Sequence, residues 1–322
     1  MKRYVFHDND LDGVLSAAIF LFYRGNMVHN QQYHTGDPIP QFDFNSDDEV
    51  YFLDCTPQVS DLLVLAEKTN NVVIVDHHQA NVEPLMVAAE ARPNVYFYYD
   101  ALKASCELTV AMLGASVFPR ASLVHNVAVH DLNLYLGDTD HERRVRGYYK
   151  AITAFLDAEV MWRKPEERVP AMRHVFAFWD EAKERTAISV GGYLYQNSLR
   201  KDKEVFLKKA IHGYIELSFG TRIKAVLLPQ LGFNTDAVPG LEQENVIIMY
   251  AQYKDGVVLS FRSGGHFDGK ALELAQSLGG GGHPNAAAAK ASYMRIDLFA
   301  EDDIATFCIS LDDNLKTLVF KK

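Results

Sequence analysis

The chain predicts an α/β fold: a doubly wound, mostly parallel N-terminal domain followed by a smaller α/β C-terminal domain. Three observations predict it. Short apolar runs at 4–6, 49–54, 71–76 and 94–99 alternate with stretches of helical period, the pattern of βαβ units. The run Val72, Val73, Ile74, Val75 is wholly apolar and β-branched, as a strand buried on both faces must be. Beyond residue 221 the pattern becomes strand-rich, at 223–228, 246–253 and 257–262, with a hairpin turn at Lys254-Asp255-Gly256.

Taken in order, the strand at 4–6 leads into an acidic loop, and residues 14–23 form a buried helix stopped at Gly25. Residues 35–48, with Pro38 and Pro40, read as a loop. After the strand at 49–54, Pro57 breaks the chain, and 60–68 is a helix with Leu62, Leu63, Leu65 and Ala66 inward. The next strand ends at Asp76-His77-His78, and the fourth is followed by Asp100. Helices follow at 103–113, whose Cys106, Leu108, Thr109, Met112 and Leu113 belong to a core, and at 120–129, which runs into His130-Asp131. Asp138, Asp140 and Glu142 read as a solvated loop; 148–162 and 170–179 are helical by period. Residues 184–217 are helical and rich in charge, interrupted by Gly191 and Gly192. The expected division is therefore 1–186, a helical linker at 187–221, and 222–322. In the last part, Phe267-Asp268-Gly269 leads into a helix at 270–277, then a glycine run, His283 and a run of alanines.

With 322 residues, nearly half of them hydrophobic, the chain can bury a sizeable core. No apolar run reaches the roughly 18 residues needed to span a bilayer. The N-terminus turns acidic too soon for a secretory signal. Cys55, Cys106 and Cys308 are scattered and odd in number, so they are expected to be reduced, in a cytoplasmic protein. A formal net charge of −10 argues against holding a long nucleic acid on a broad basic surface, but not against a small anion held by metals.

The apolar runs deliver acids to one sheet edge, where open α/β sheets bind ligands. Asp8, Asp10 and Asp12 follow the first strand, Asp54 ends the second, and Asp76, His77 and His78 end the third. Asp131 can reach the same edge from a later helix end. Helix capping accounts for one aspartate of the first three. Three like charges at alternate positions exceed that need and are unfavourable unless cations neutralise them. A calcium loop of the EF-hand type also alternates acids, but it needs a preceding helix and a later bidentate glutamate, and both are missing. Oxygen ligands with a minority of imidazoles suit magnesium or manganese better than zinc. Shared carboxylates favour two metals, and a pair roughly 3.5–4 Å apart is the usual arrangement for in-line attack of an activated water on phosphorus. No nucleophilic side chain is needed: Ser16 lies inside a helix, and Cys55 fills strand–helix packing. In the second half, four glycines let the backbone approach an anion, His283 adds a donor, and Arg262 supplies a planar fork for phosphate. The plainer alternative is a flexible loop before an Ala-rich helix. His266 reads as a surface histidine.

These residues resemble the motifs of the DHH phosphoesterases. Asp8-Asn9-Asp10-Leu11-Asp12-Gly13 is similar to the first motif, Leu53-Asp54 to the second, Asp76-His77-His78 to the third and His130-Asp131 to the fourth. Ser260-Phe261-Arg262-Ser263 and Gly280-Gly281-Gly282-His283 resemble the associated C-terminal domain. The resemblance implies one metal on Asp8, Asp10 and Asp54 and a second on Asp12, Asp54, His77 and Asp131, with Asp54 bridging. Many members carry histidine where Asp8 stands, which makes His7 the alternative ligand. His78 would face the scissile phosphate and Asp76 would orient the histidines; these two form the expected catalytic pair. Arg262, Ser263, Gly280, Gly281, Gly282 and His283 would bind substrate, with the active site in the cleft between the domains. Two manganese ions are the implied cofactor, with magnesium as the other candidate. The implied activity is hydrolysis of short oligonucleotides or nucleotides, as in nanoRNases and RecJ exonucleases. Rival readings are a cyclic-dinucleotide phosphodiesterase, a pyrophosphatase of the same fold, and a metal-dependent nucleotide sensor without turnover. The expected partners are a short oligonucleotide or nucleotide and a second copy of the chain in a homodimer, with neither a membrane nor a long duplex.

Overall fold

The computed structural model describes residues 1–322 except 26–27, 80–81, 133, 135–138, 217–221, 254–255, 292, 300–303, 312–313 and 322. The chain divides into two compact units, Met1–Tyr195 and Gln196–Lys322. The first unit opens with β1 (Arg3–His7), α1 (Leu11–Arg24), β2 (Val28–Gln32), β3 (Glu49–Leu53), α2 (Val59–Lys68), β4 (Asn71–Asp76), α3 (Val82–Glu90) and β5 (Val95–Tyr99). The helices α4 (Ser105–Leu113), α5 (Ala121–Asp131), α6 (Asp140–Leu156) and α7 (Pro165–Ala177) follow, with one π turn at Asp157–Met161. The helix α8 (Glu181–Lys209) continues past the division between the units.

The five strands form an all-parallel sheet in the order β2-β1-β3-β4-β5. Alternate residues of each inner strand serve opposite faces. Val5, Tyr51, Leu53, Val73 and Val75 pack with α1 and the later helices. Tyr4, Phe6, Val50, Phe52, Val72 and Ile74 pack with Leu62 and Leu65 of α2 and Leu85 of α3. The sheet is therefore doubly wound, as the sequence predicts. Strand order reverses between β1 and β3, and a doubly wound sheet opens a crevice at the carboxyl ends of such strands. The strand β2 escapes a hydrophobic reading because Val-His-Asn-Gln-Gln is polar and lies at the sheet edge.

The sequence expectations need correction in places. Asp140 and Glu142 do not lie in a loop; they form the first turn of α6. Thr139 Oγ1 accepts from the Glu142 N–H at 3.2 Å, and Glu142 Oε2 accepts from the Thr139 N–H at 2.7 Å, a reciprocal cap. Asp138 lies outside the described residues. The helix expected at 184–217 ends at Lys209, and Ile211–Glu216 is a strand, β6. Buried Gly213 and Ile215 alternate there with exposed His212 and Tyr214, the period of a strand. Leu217 lies outside the described residues. Gly191 does not interrupt α8. A Cβ at that position would sit 1.7 Å from the carbonyl oxygen of Ala151, so glycine is what lets α8 lie on α6.

The second unit adds β7 (Arg222–Leu228), the short α9 (Leu241–Glu244), β8 (Val246–Tyr253), β9 (Gly256–Arg262) and α10 (Lys270–Ser277). It ends with β10 (Gly281–His283), β11 (Ala286–Ala291), β12 (Tyr293–Phe299), β13 (Ile304–Leu311) and β14 (Asn314–Lys321). They form one mixed sheet in the order β10-β11-β9-β8-β7-β6-β14-β13-β12. The strands β8 and β9 pair antiparallel, as a hairpin requires; the turn residues Lys254 and Asp255 lie outside the described residues. The alanine run is a strand and not a helix, pairing Ala286 with Arg262 through Ala291 with Val257. Among the described residues no helix is long and apolar enough to cross a membrane.

Candidate metal centre

Three strands of the first sheet end in the residues of interest. After β1, the chain turns sharply through Asp8, Asn9 and Asp10 into α1. Asp10 caps that helix, accepting the Gly13 N–H at 2.9 Å. Gly13 is required by the turn: a Cβ there would lie 2.5 Å from the Asp8 carbonyl oxygen. Asp12, in the first turn of α1, is completely buried. Its oxygens accept the N–H groups of Ser105 at 2.7 Å and Cys106 at 2.9 Å. These donors belong to the first turn of α4, so a helix N-terminus faces the Asp12 carboxylate.

Asp54 follows β3 with φ of 62°, the left-handed conformation that few residues other than glycine adopt. Such backbone strain gathers at functional sites. Asp54 is buried, and its Oδ1 accepts the Ser105 hydroxyl at 3.0 Å. At the end of β4, Asp76 Oδ1 accepts the His77 N–H at 2.8 Å and lies 2.8 Å from His78 Nδ1. Asp76 therefore orients the segment after its strand. His77 Nε2 lies 3.2 Å from Asp131 Oδ2, 3.3 Å from Asp54 Oδ1 and 3.8 Å from Asp12 Oδ2. The last residue of α5 thus joins residues from three strand ends around one imidazole.

Crowding and burial change the protonation of these groups. Burial pushes the carboxyl of Asp12 up to about 6, with Asp10 adding to the rise and the N–H donors opposing it. Burial and the neighbouring aspartates raise Asp54 and Asp131 well above the carboxylate range. Asp10, an exposed residue, is raised by the protein crowded around its carboxyl and by Asp8. At His78, burial opposes the charged form, but the hydrogen bond and charge of Asp76 outweigh it and push the imidazole up to about 9. In the ionised state, Asp54 Oδ2 and Asp76 Oδ2 are buried with no donor. Buried carboxylates in this state require a proton or a cation.

Within the first unit, two sets of donor atoms lie close enough to share a cation: Asp12, His77 and Asp131, and Asp54, Asp76, His77 and His78. The oxygen-rich set with imidazole fits a divalent metal ion. Asp8 and Asp10 stand at the same strand edge but in neither set. Asp8 Oδ1 accepts from its neighbour Asn9 N–H at 2.6 Å and lies 3.0 Å from His34 Nδ1. His7 is buried, with Nδ1 2.6 Å from the Asp8 carbonyl oxygen, so that nitrogen carries the proton. Sequence reasoning missed Ser105, Cys106 and His34 because their approach is purely tertiary; no local pattern marks them.

No family model matches the sequence, and no curated protein does either. Solved structures do match. The pGpG-specific phosphodiesterase PggH from Vibrio cholerae is similar at a TM-score of 0.50, with 14% identity, over 90% of this chain and 93% of that one. The DHH domain of a member of the s1p family of ribosomal proteins is similar at a TM-score of 0.54, with 14% identity, over 90% of this chain and 82% of that one. This chain has the DHH-domain fold.

The DHH fold places Asp76-His77-His78 at the end of its fourth strand here, beside the point where strand order reverses. The residues expected to bind substrate lie in the second unit of this DHH-fold chain. Arg262 ends β9 and donates from Nη1 to Ser260 Oγ at 2.9 Å and to the Phe261 carbonyl at 2.8 Å. Ser263 is buried; its hydroxyl donates to Asn285 Oδ1 at 3.1 Å and accepts the Ala271 N–H at 3.0 Å. These bonds tie β9 to the start of α10. Gly280 and Gly282 approach β11 so closely that a Cβ would lie 2.1 Å from the Ala288 oxygen and 2.7 Å from the Ala286 oxygen. Gly281 and His283 pair with Ala288 and Ala286 in the same short hairpin.

Proposed function

We propose that the protein is a metal-dependent phosphoesterase that hydrolyses short oligonucleotides or nucleotides, with two manganese ions as the working cofactor and magnesium as the alternative. The observation that carries this reading is the position of His77 Nε2 within 3.8 Å of carboxylates from α1, β3 and α5. A structural core has no use for that many buried acids, and binding alone does not need them.

The bound ions supply an activated water and offset the charge of the phosphoryl group. The residues of this chain do the rest. Asp54 would help hold the ions, and the Ser105 hydroxyl, donating to its Oδ1, holds its carboxylate in place. Asp76 holds His78 in the charged state as a donor to the phosphate. For Arg262 and the segment from Gly280 to His283 the role we propose is substrate binding. PggH, with the same fold, is a pGpG-specific phosphodiesterase, which supports a dinucleotide as the first substrate to try.

The test is hydrolysis of a ribodinucleotide and of bis-p-nitrophenyl phosphate after chelation and add-back of single metals. Activity is expected to vanish in chelator and to return with manganese at least as fully as with magnesium. Full activity in excess chelator overturns the reading. Tight nucleotide binding with no product over hours favours the sensor instead.

A further inference from the structure

The helix α6 stops at Leu156, and a single π turn carries the chain from Asp157 to Met161. Such turns are rare, and they gather at functional sites. This one brings Asp157 and Met161 to a cavity of about 320 Å³, which Leu11, Asp10, Asp12 and Asp131 also line. The cavity therefore joins the metal centre to a wall the motifs do not include.

Asp157 is the unexplained part of that wall. Burial pushes its carboxyl up to about 6, and no neighbouring charge or donor offsets the rise. Among the described residues no side chain or N–H reaches this carboxyl. Asp157 is half-buried, so its carboxylate stands as an open acceptor on the cavity wall, free to take a donor from a bound ligand. It belongs to neither set of atoms close enough to share a cation, so it is not a ligand of the metal centre. A phosphate oxygen there would meet a like charge. What fits is a neutral group with a hydrogen to donate, carried on a carbon skeleton that can lie against Leu11 and Met161.

We infer that Asp157 accepts a hydrogen bond from a hydroxyl or amino group on the nucleoside part of the substrate, and so selects nucleotidyl phosphates over inorganic ones. This rests on the hydrolase reading for its substrate class. Pyrophosphate and polyphosphate present charged phosphoryl groups and no carbon skeleton that carries a neutral donor to this wall. The interaction is made to the bound substrate and kept through the reaction, so it acts on KM more than on kcat.

The experiment compares wild type, Asp157→Ala and Asp157→Asn. Their kcat and KM are measured on a ribodinucleotide and on bis-p-nitrophenyl phosphate in manganese. Binding of a nucleoside monophosphate and of pyrophosphate is measured by calorimetry under the same conditions. A hydrogen bond to a charged group corresponds to a factor of about 10–100. Asp157→Ala is expected to raise KM on the dinucleotide and weaken nucleoside monophosphate binding by about that factor. Hydrolysis of the generic ester and binding of pyrophosphate should stay within about twofold. Asp157→Asn keeps one acceptor oxygen and should fall between the two. A parallel loss on all four ligands, or a loss on none, overturns the inference. If wild type hydrolyses nothing, yet Asp157→Ala still weakens the monophosphate alone, the hydrolase reading fails and the inference stands for a binding site.

Discussion

Asp54 concentrates the conflict between stability and chemistry. It is buried, held at φ of 62°, and raised by burial and by four other aspartates. A carboxyl whose folded pKa exceeds its unfolded value keeps its proton longer when folded. Its penalty is absent at low pH, grows as pH rises from about 4, and is complete above the folded pKa. Asparagine tolerates the left-handed backbone and carries no charge. In chelator, Asp54→Asn is therefore expected to unfold at a higher temperature than wild type at pH 8, with the difference shrinking as pH falls towards 4. The rise in unfolding temperature on adding manganese should shrink at the same time. Asp100 also follows a strand, but its carboxylate is partly exposed and paired with the Leu102 N–H and Lys103, and Asp100→Asn should do neither. Thermal unfolding across pH, with and without metal, checks this; a wild type more stable than Asp54→Asn at pH 8 without metal contradicts the assignment. The sequence made Asp54 legible as a strand-end acid. It could not reveal the dihedral angle or Ser105, which depend on how β3 and α4 meet.

Among the elements, helices and inner strands of the first unit were readable because both sheet faces are covered, so their residues are apolar throughout. The polar edge strand β2 and the small-residue strand β11 were not, because neither carries a hydrophobic period. Alanine favours helices in isolation, but in β11 it pairs with β9, and close approach of β10 decides the matter. The pair Gly191 and Gly192 is the reverse case: residues read as an interruption lie inside a continuous helix. Only one of them is needed for packing. A Cβ at 191 would overlap the Ala151 oxygen, whereas nothing lies within 4 Å of one at 192. Overpacking costs about 1–3 kcal/mol or more, whereas replacing a helical glycine with room for a Cβ by alanine stabilises by about 0.4–1 kcal/mol. Gly191→Ala should therefore lower the unfolding temperature and Gly192→Ala should hold or raise it. Equal shifts for the two variants would show that α8 does not lie on α6 as described.

On the scale of the whole molecule, the acids of the candidate metal centre all lie in the first unit, and the second unit carries the proposed substrate-binding residues. Its structure already explains part of the second set of motifs. Ser263 ties β9 to α10, and Gly280 and Gly282 admit a tight hairpin, so substitutions there disturb the fold before they report on substrate. Arg262 is the cleaner probe. Its Nη1 is bound to Ser260 and Phe261, which fixes the plane of the guanidinium, and its remaining N–H groups have no partner among the described residues. A fixed fork with donors to spare is what recognition of a phosphate or carboxylate uses. Arg262→Ala should leave manganese binding unchanged, because no carboxylate of the centre depends on it. Losing hydrogen bonds to a charged group corresponds to about 10–100-fold, so kcat/KM on a ribodinucleotide should fall by that factor. Bis-p-nitrophenyl phosphate has no second phosphate or ribose for the guanidinium to hold, and its hydrolysis should fall far less. The ratio of the two efficiencies, wild type against variant, is the quantity to measure. An equal fall on both substrates would move Arg262 to the reacting phosphate itself, and no fall on either would leave it with the strand-end hydrogen bonds alone.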